Sequence, residues 1–110
     1  MDVYSTHSMS FRNYQEENIT VIVNRFYVED IQACAEEIIE KCRSNDFKSV
    51  CFSYDESIPN ELHATVYLTK RDVKKHKVLF SLDYEQEEAN SEYNIVEHPE
   101  RFTLKISEEN

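Results

Sequence analysis

The chain contains no glycine at all among its 110 residues, where average usage of about 7% would supply several. That absence excludes the glycine-rich backbone cradles that hold phosphate, so neither a P-loop nor a dinucleotide-binding turn is present. The three cysteines and four histidines fall into no CxxC, HxxxH or HExxH spacing, and neither a metal nor a cofactor is expected. No apolar run approaches the ~20 residues needed to cross a bilayer. A surface this acidic is also repelled by anionic headgroups, so no membrane role is expected. An odd number of cysteines cannot all pair within the chain, and no charged-then-apolar leader opens it. A reducing cytoplasm is the expected compartment.

What is present is charge and enough apolar surface to fold. There are 22 acidic residues against 12 basic ones, a net charge of -10, while 40% of the residues are hydrophobic. The length suits one domain with one core. The expected division is an N-terminal arm over residues 1–17, polar with scattered aromatics, a single domain over 18–107 and a C-terminal tail over 108–110.

Residues 19–26 (ITVIVNRF) are β-branched on both sides, as in a central strand. From Glu29 to Arg43 the period changes: Ile31, Cys34, Ala35, Ile38 and Cys42 make one helical stripe. Glu29 and Asp30 stand at its start and Lys41 and Arg43 at its end, matching the helix dipole. Asn45 is the candidate for the left-handed stop that glycine usually supplies. Residues 47–54, 62–69 and 78–85 each alternate as half-buried strands. Residues 93–96 suggest a short strand, and Phe102, Leu104 and Ile106 mark a last one. One helix cannot cover both faces of a sheet. The expected fold is therefore α+β: an antiparallel four- or five-stranded sheet with one helix on one face, in the order strand-helix-strand-strand-strand-strand.

Few residues point to chemistry. Cys34 and Cys42 lie on the apolar stripe about 12 Å apart at 1.5 Å per residue, beyond the ~7 Å reach of a disulfide, and read as core. Cys51 alternates off the apolar face with no activating base beside it. His63, Thr65 and Tyr67 project from one strand face beside Asp83 and Glu85 of the next if the hairpin is in simple register. This is the only constellation resembling an acid/base site. No nucleophile motif or oxyanion loop accompanies it, and a solvated sheet face carries the same residue types, so no catalytic residue is assigned.

Charge distribution says more. Residues 70–77 (KRDVKKHK) hold five cations, Lys70, Arg71, Lys74, Lys75 and Lys77, and one acid. That segment is +4 and the remainder -14. It reads as a secondary basic tip, or as a solvated turn whose lysines discourage edge pairing. Direct nucleic-acid binding is disfavoured by the surrounding charge. Asp83, Glu85 and Glu87 alternate, which spaces their carboxylates about 7 Å apart on one strand face, close to the phosphate spacing of nucleic acid. Glu36, Glu37 and Glu40 line the polar face of the helix.

By analogy of size and charge, the chain resembles the class of small acidic inhibitors: immunity proteins, phage anti-defence inhibitors and DNA mimics. The expected partner is a basic protein, a nuclease or another nucleic-acid-binding protein. Tyr67, Asp83, Glu85, Glu87 and Glu88 are the expected contact patch, with tyrosine as anchor. The alternatives are a structural or oligomeric module, including a homodimer formed through strand edges, and an enzyme using the face of His63, Tyr67 and Asp83.

Overall fold

A computed structural model describes residues 1–108. The hairpin of β1 (Asp2–Phe11) and β2 (Tyr14–Ile22) comes first, then helix α1 (Ile31–Ser44), β3 (Glu61–Tyr67), the short α2 (Lys70–Lys74) and β4 (Phe80–Gln86). A single 3-10 turn at Pro99–Arg101 leads into β5 (Phe102–Glu108). The five strands lie side by side in chain order. Every neighbouring pair is antiparallel except β2 and β3, which run parallel. The fold is α+β with one main helix, and the wholly antiparallel sheet expected above is corrected to a mixed one. The reason is the connection: α1 carries the chain back along the sheet between β2 and β3, so the two strands start from the same end.

The strand expected over residues 19–26 ends at Ile22, with Asn24 beyond it at positive φ, and three other segments depart from the pattern reading. Residues 1–17, expected as an arm, contain β1 and the first residues of β2. The turn joining those strands is made by Arg12 and Asn13, both at positive φ (50° and 66°), as a tight two-residue hairpin requires. Residues 47–54 form no strand, although Val50, Phe52 and Tyr54 do turn inward against the core. Their backbone is taken by side chains instead. The Phe52 amide donates to Asn45 Oδ1 at 2.8 Å, the Ser49 amide to Asp2 Oδ1 at 3.1 Å, and the Phe52 carbonyl accepts from Asn45 Nδ2 at 2.8 Å. Residues 93–96 form turns rather than a strand, because the Asn94 side chain accepts from the Val96 and Glu97 amides.

The helix forms where its stripe predicted. Asp30 caps it by accepting from the Ala33 amide at 3.0 Å, and Lys41 and Arg43 occupy its last turn. Cys34, Ala35, Ile38, Ile39 and Cys42 are buried against Ile19 and Val21 of β2, Leu62, Ala64 and Val66 of β3, and Phe80 and Leu82 of β4. Both helical cysteines are therefore core residues. Burial pushes the Cys42 thiol up to about 12 and raises that of Cys34, whereas Cys51 is exposed. Arg43 fastens the last loop to the helix by donating to the Ile95 and Val96 carbonyls at 2.8 and 3.0 Å. Of the five positive-φ positions among the described residues, three are asparagine: Asn13, Asn24 and Asn45. Asn45 ends α1 at φ 55° and ψ 43°, and its Nδ2 donates to the Phe52 carbonyl at 2.8 Å. One side chain thus stops the helix and holds the segment that follows.

Two outcomes follow from this arrangement. Asn45→Ala keeps a Cβ at the left-handed position without the local side-chain hydrogen bonding that lets asparagine tolerate it, costing about 1–2 kcal/mol, and also removes two hydrogen bonds worth about 1 kcal/mol each. Asn45→Gly keeps the backbone and loses only the bonds, so urea denaturation ranks wild type above Gly and Gly above Ala. Alkylation of the native protein modifies one thiol rapidly, that of Cys51, and all three only in denaturant; a native stoichiometry above one means that the helix stripe opens.

Candidate functional site

Strand alternation divides the sheet residues between two faces. Helix α1 covers the face of Ile19, Val21, Leu62, Val66 and Leu82. The opposite face carries His7, Met9 and Phe11 of β1, Tyr14, Glu16, Asn18 and Thr20 of β2, and Glu61, His63, Thr65 and Tyr67 of β3. Ser81, Asp83 and Glu85 of β4 and Thr103, Lys105 and Ser107 of β5 complete it. All of these are at least partly exposed; Ile22, beside Tyr67 at the far end of β2 on the same face, is the buried exception. Four carboxylates share this open face with Lys105, its only lysine or arginine among the described residues.

The register brings three of those carboxylates onto one imidazole. In the parallel pair, Glu16 lies beside Glu61 and Asn18 beside His63. In the antiparallel pair, His63 lies opposite Asp83. His63 Nδ1 sits 2.5 Å from Asp83 Oδ1, and Nε2 sits 2.6 Å from Glu61 Oε2 and 3.4 Å from Glu16 Oε1. The other oxygen of Glu61 accepts from the Tyr14 hydroxyl at 2.9 Å. Like charges on adjacent strands repel, and His63 is the group that holds Glu16 and Glu61 together. Partial burial works against its charged form, but the hydrogen bonds and negative charge of Glu61 and Asp83 prevail and raise its pKa above the ordinary 6.5. Tyr14 is raised too, by burial and then by its bond to Glu61, and stays a protonated donor.

Asn60, just before β3, sets this end of the sheet. It is buried, its amide donates to the Gln15 carbonyl at 2.8 Å, and its side chain accepts from the Gln15 amide at 2.8 Å. Its Nδ2 reaches the Ser91 and Tyr93 carbonyls at 3.2 and 2.6 Å, while Gln86 Nε2 donates to its carbonyl at 3.1 Å. One residue therefore joins the start of β2, the start of β3 and the loop after β4, which aligns Glu16 with Glu61.

The predicted patch is divided by the fold. Asp83 and Glu85 lie on the open face beside the His63 cluster, and Glu85 pairs with Lys105 at 3.7 Å. Tyr67 shares that face, but four residues along β3 from His63 is about 13 Å at strand rise. Glu87 and Glu88 leave the sheet, because β4 ends at Gln86. The expected row of Asp83, Glu85 and Glu87 therefore stops after its second member. Glu87 and Glu88 instead line a groove of about 590 Å³ with Glu100, Arg101 and Tyr93. The five cations of the basic tip, Lys70, Arg71, Lys74, Lys75 and Lys77, are all exposed. They lie at the opposite end of the β3–β4 hairpin from Glu87 and Glu88, about 20 Å away along seven-residue strands. No helix among the described residues is long and apolar enough to cross a membrane.

Pattern reading found His63 and Asp83 and missed Glu16, Glu61 and Tyr14. Glu61 was legible: Glu61-x-His63 on a strand puts both side chains on one face. Glu16 and Tyr14 were not, since nothing local announces that residues 14–17 begin the strand paired with β3. Comparison with protein-family models, with curated proteins and with solved structures finds no match to this chain.

The raised pKa of His63 has a definite sign. Its stabilising contribution is fully present below the unfolded value of ~6.5 and is lost as pH rises through the higher folded value. The melting temperature of the wild type falls between pH 6 and pH 8.5, and His63→Gln removes part of that fall. Identical slopes in the two proteins would contradict the cluster. NMR titration of the His63 ring reads the same shift directly.

Proposed function

We propose that this chain binds a basic, nucleic-acid-handling protein through the open face of its sheet and inhibits it by occupying the surface that would hold nucleic acid. The observation that carries this reading is the concentration of Glu16, Glu61, Asp83 and Glu85 on one uncovered sheet face with a single lysine, in a chain of net charge -10. Neighbouring strands stand about 4.8 Å apart, and residues two apart along a strand are spaced by about 6.6 Å. That is the scale of phosphate spacing in nucleic acid. A rigid sheet presents such charges without the ordering cost that a flexible acidic tail incurs on binding.

Apolar anchors stand beside the charge. Met9 and Phe11 are exposed at 53% and 72% and share the face with Tyr14, to which Phe11 is register-paired. Aromatic groups beside a charged patch combine desolvation with electrostatic steering. These side chains extend the proposed contact from Asp83 and Glu85 toward β1, and Glu87 and Glu88 flank it at the end of β4. An enzyme using His63 is supported less well, because both ring nitrogens face carboxylates rather than a hydroxyl or thiol nucleophile.

The test is retention of basic nucleic-acid-binding proteins on the immobilised chain, with elution by salt and by heparin as a competing polyanion. A single protein released at a defined salt step and displaced by heparin fits the reading. The triple variant Asp83→Asn/Glu85→Gln/Glu16→Gln then loses at least tenfold in affinity, while neutralising Lys70, Arg71 and Lys74 does not weaken binding. Retention that ignores the triple change would exclude the open face as the contact.

A further inference from the structure

The geometry points to a binding site for a divalent first-row transition cation, of the zinc type, formed by His63 Nε2, Glu61 Oε2 and Glu16 Oε1 on the open face. The inference does not depend on the identity of any protein partner. The donor atoms of these three residues all lie within 4.8 Å of one another. Two come from the same side of β3, and the third from the parallel neighbour β2, so all three are carried by rigid paired strands rather than loops.

The orientation of each donor group is settled from behind. His63 uses Nδ1 toward Asp83 at 2.5 Å, which leaves Nε2 directed at the two glutamates. A carboxylate on the rear nitrogen is the usual support of a metal-bound imidazole: it selects the tautomer and raises ligand basicity. Glu61 is held in the same way, with Oε1 occupied by the Tyr14 hydroxyl at 2.9 Å and Oε2 turned to the ring.

Scale and charge agree with the assignment. Tetrahedral ligands at about 2.0–2.2 Å from zinc are about 3.4 Å from each other. Nε2 and Glu16 Oε1 already stand 3.4 Å apart. Nε2 and Glu61 Oε2, at 2.6 Å, need to part by a little under 1 Å as a cation replaces the proton between them. Two carboxylates balance the double charge, and Asp83 lies just behind the ring. The imidazole nitrogen favours zinc over magnesium, which takes oxygen ligands and gives up its water reluctantly. Three protein ligands also leave a coordination position open to solvent. No sequence motif announces this arrangement, because its ligands are two residues apart on one strand and 45 residues away on another.

The test is calorimetric titration of the full chain with ZnCl₂, MnCl₂ and MgCl₂ in a Cys51→Ser background, which removes the exposed thiol as a competing ligand. One equivalent of zinc binds, at least tenfold more tightly than magnesium. Glu61→Gln preserves shape and the Tyr14 contact and weakens zinc at least tenfold, as does His63→Ala. Asp83→Asn, which touches only the rear nitrogen, weakens it by about 10- to 100-fold. Cobalt added in place of zinc gives the intense visible absorption of a four-coordinate site, and the Glu61→Gln variant loses it. Circular dichroism confirms that each variant is folded, and Glu61→Gln decides the matter if His63→Ala is not. Absence of zinc binding, equal affinity for magnesium, or zinc binding unchanged in Glu61→Gln would each overturn the assignment.

Discussion

The parallel pairing of β2 with β3 is the constraint on which the rest of the molecule depends. It exists because α1 returns the chain across the sheet and buries Cys34, Ala35, Ile38 and Cys42 against the apolar face of both strands. The same register that puts Ile19 beside Ala64 and Val21 beside Val66 under the helix puts Glu16 beside Glu61 and Asn18 beside His63 on the other side. A slip of one residue would send the apolar set to solvent and the carboxylates into the core. The hydrophobic pattern thus enforces an electrostatic arrangement that is unfavourable in itself. Two glutamates are held next to each other, and a third acid faces them across His63.

A chain without glycine has to meet its tight turns with other residues, and asparagine does most of that work. Asn13 turns the first hairpin, Asn24 follows β2, and Asn45 ends the helix, all at positive φ. Asparagine tolerates the left-handed region and brings a side-chain amide that glycine lacks. At position 45 the amide is used in both directions along residue 52. Asn60 shows the same economy with ordinary backbone geometry, joining three segments through one side chain and its own peptide groups. These links are local and polar, yet they fix where the acidic residues of the open face stand.

The charge of the molecule is organised along the β3–β4 hairpin. Lys70, Arg71, Lys74, Lys75 and Lys77 occupy one end, and Glu87 and Glu88 the other. Between them the open face is acidic, with His63 at the centre of its carboxylates. On the proposed reading, a basic partner would meet there a rigid array of carboxylates flanked by Met9 and Phe11. The proposed transition cation would meet a smaller set of atoms within that array, already turned toward a common point. Protonation of His63, a bound cation and a basic partner would each neutralise the same cluster of negative charge, so the three are linked through one electrostatic field.

By itself the sequence determined the helix and its buried stripe, the alternation of β3, β4 and β5, the core position of Cys34 and Cys42, the left-handed Asn45 and the opposition of His63 to Asp83. Each of these rests on periodicity or on contacts between neighbours in the chain, which short-range chemistry encodes. Only the tertiary structure decided that residues 2–11 pair as a strand, that residues 47–54 do not, and that β2 runs parallel to β3. Residues 47–54 alternate as a strand would, but their backbone groups are claimed by Asn45 and Asp2 and no sheet edge receives them. The convergence of Glu16, Glu61 and Tyr14 with His63 was decided at the same level. It depends on the register between segments 45 residues apart, and that register is set by how α1 packs rather than by any residue adjacent to the site.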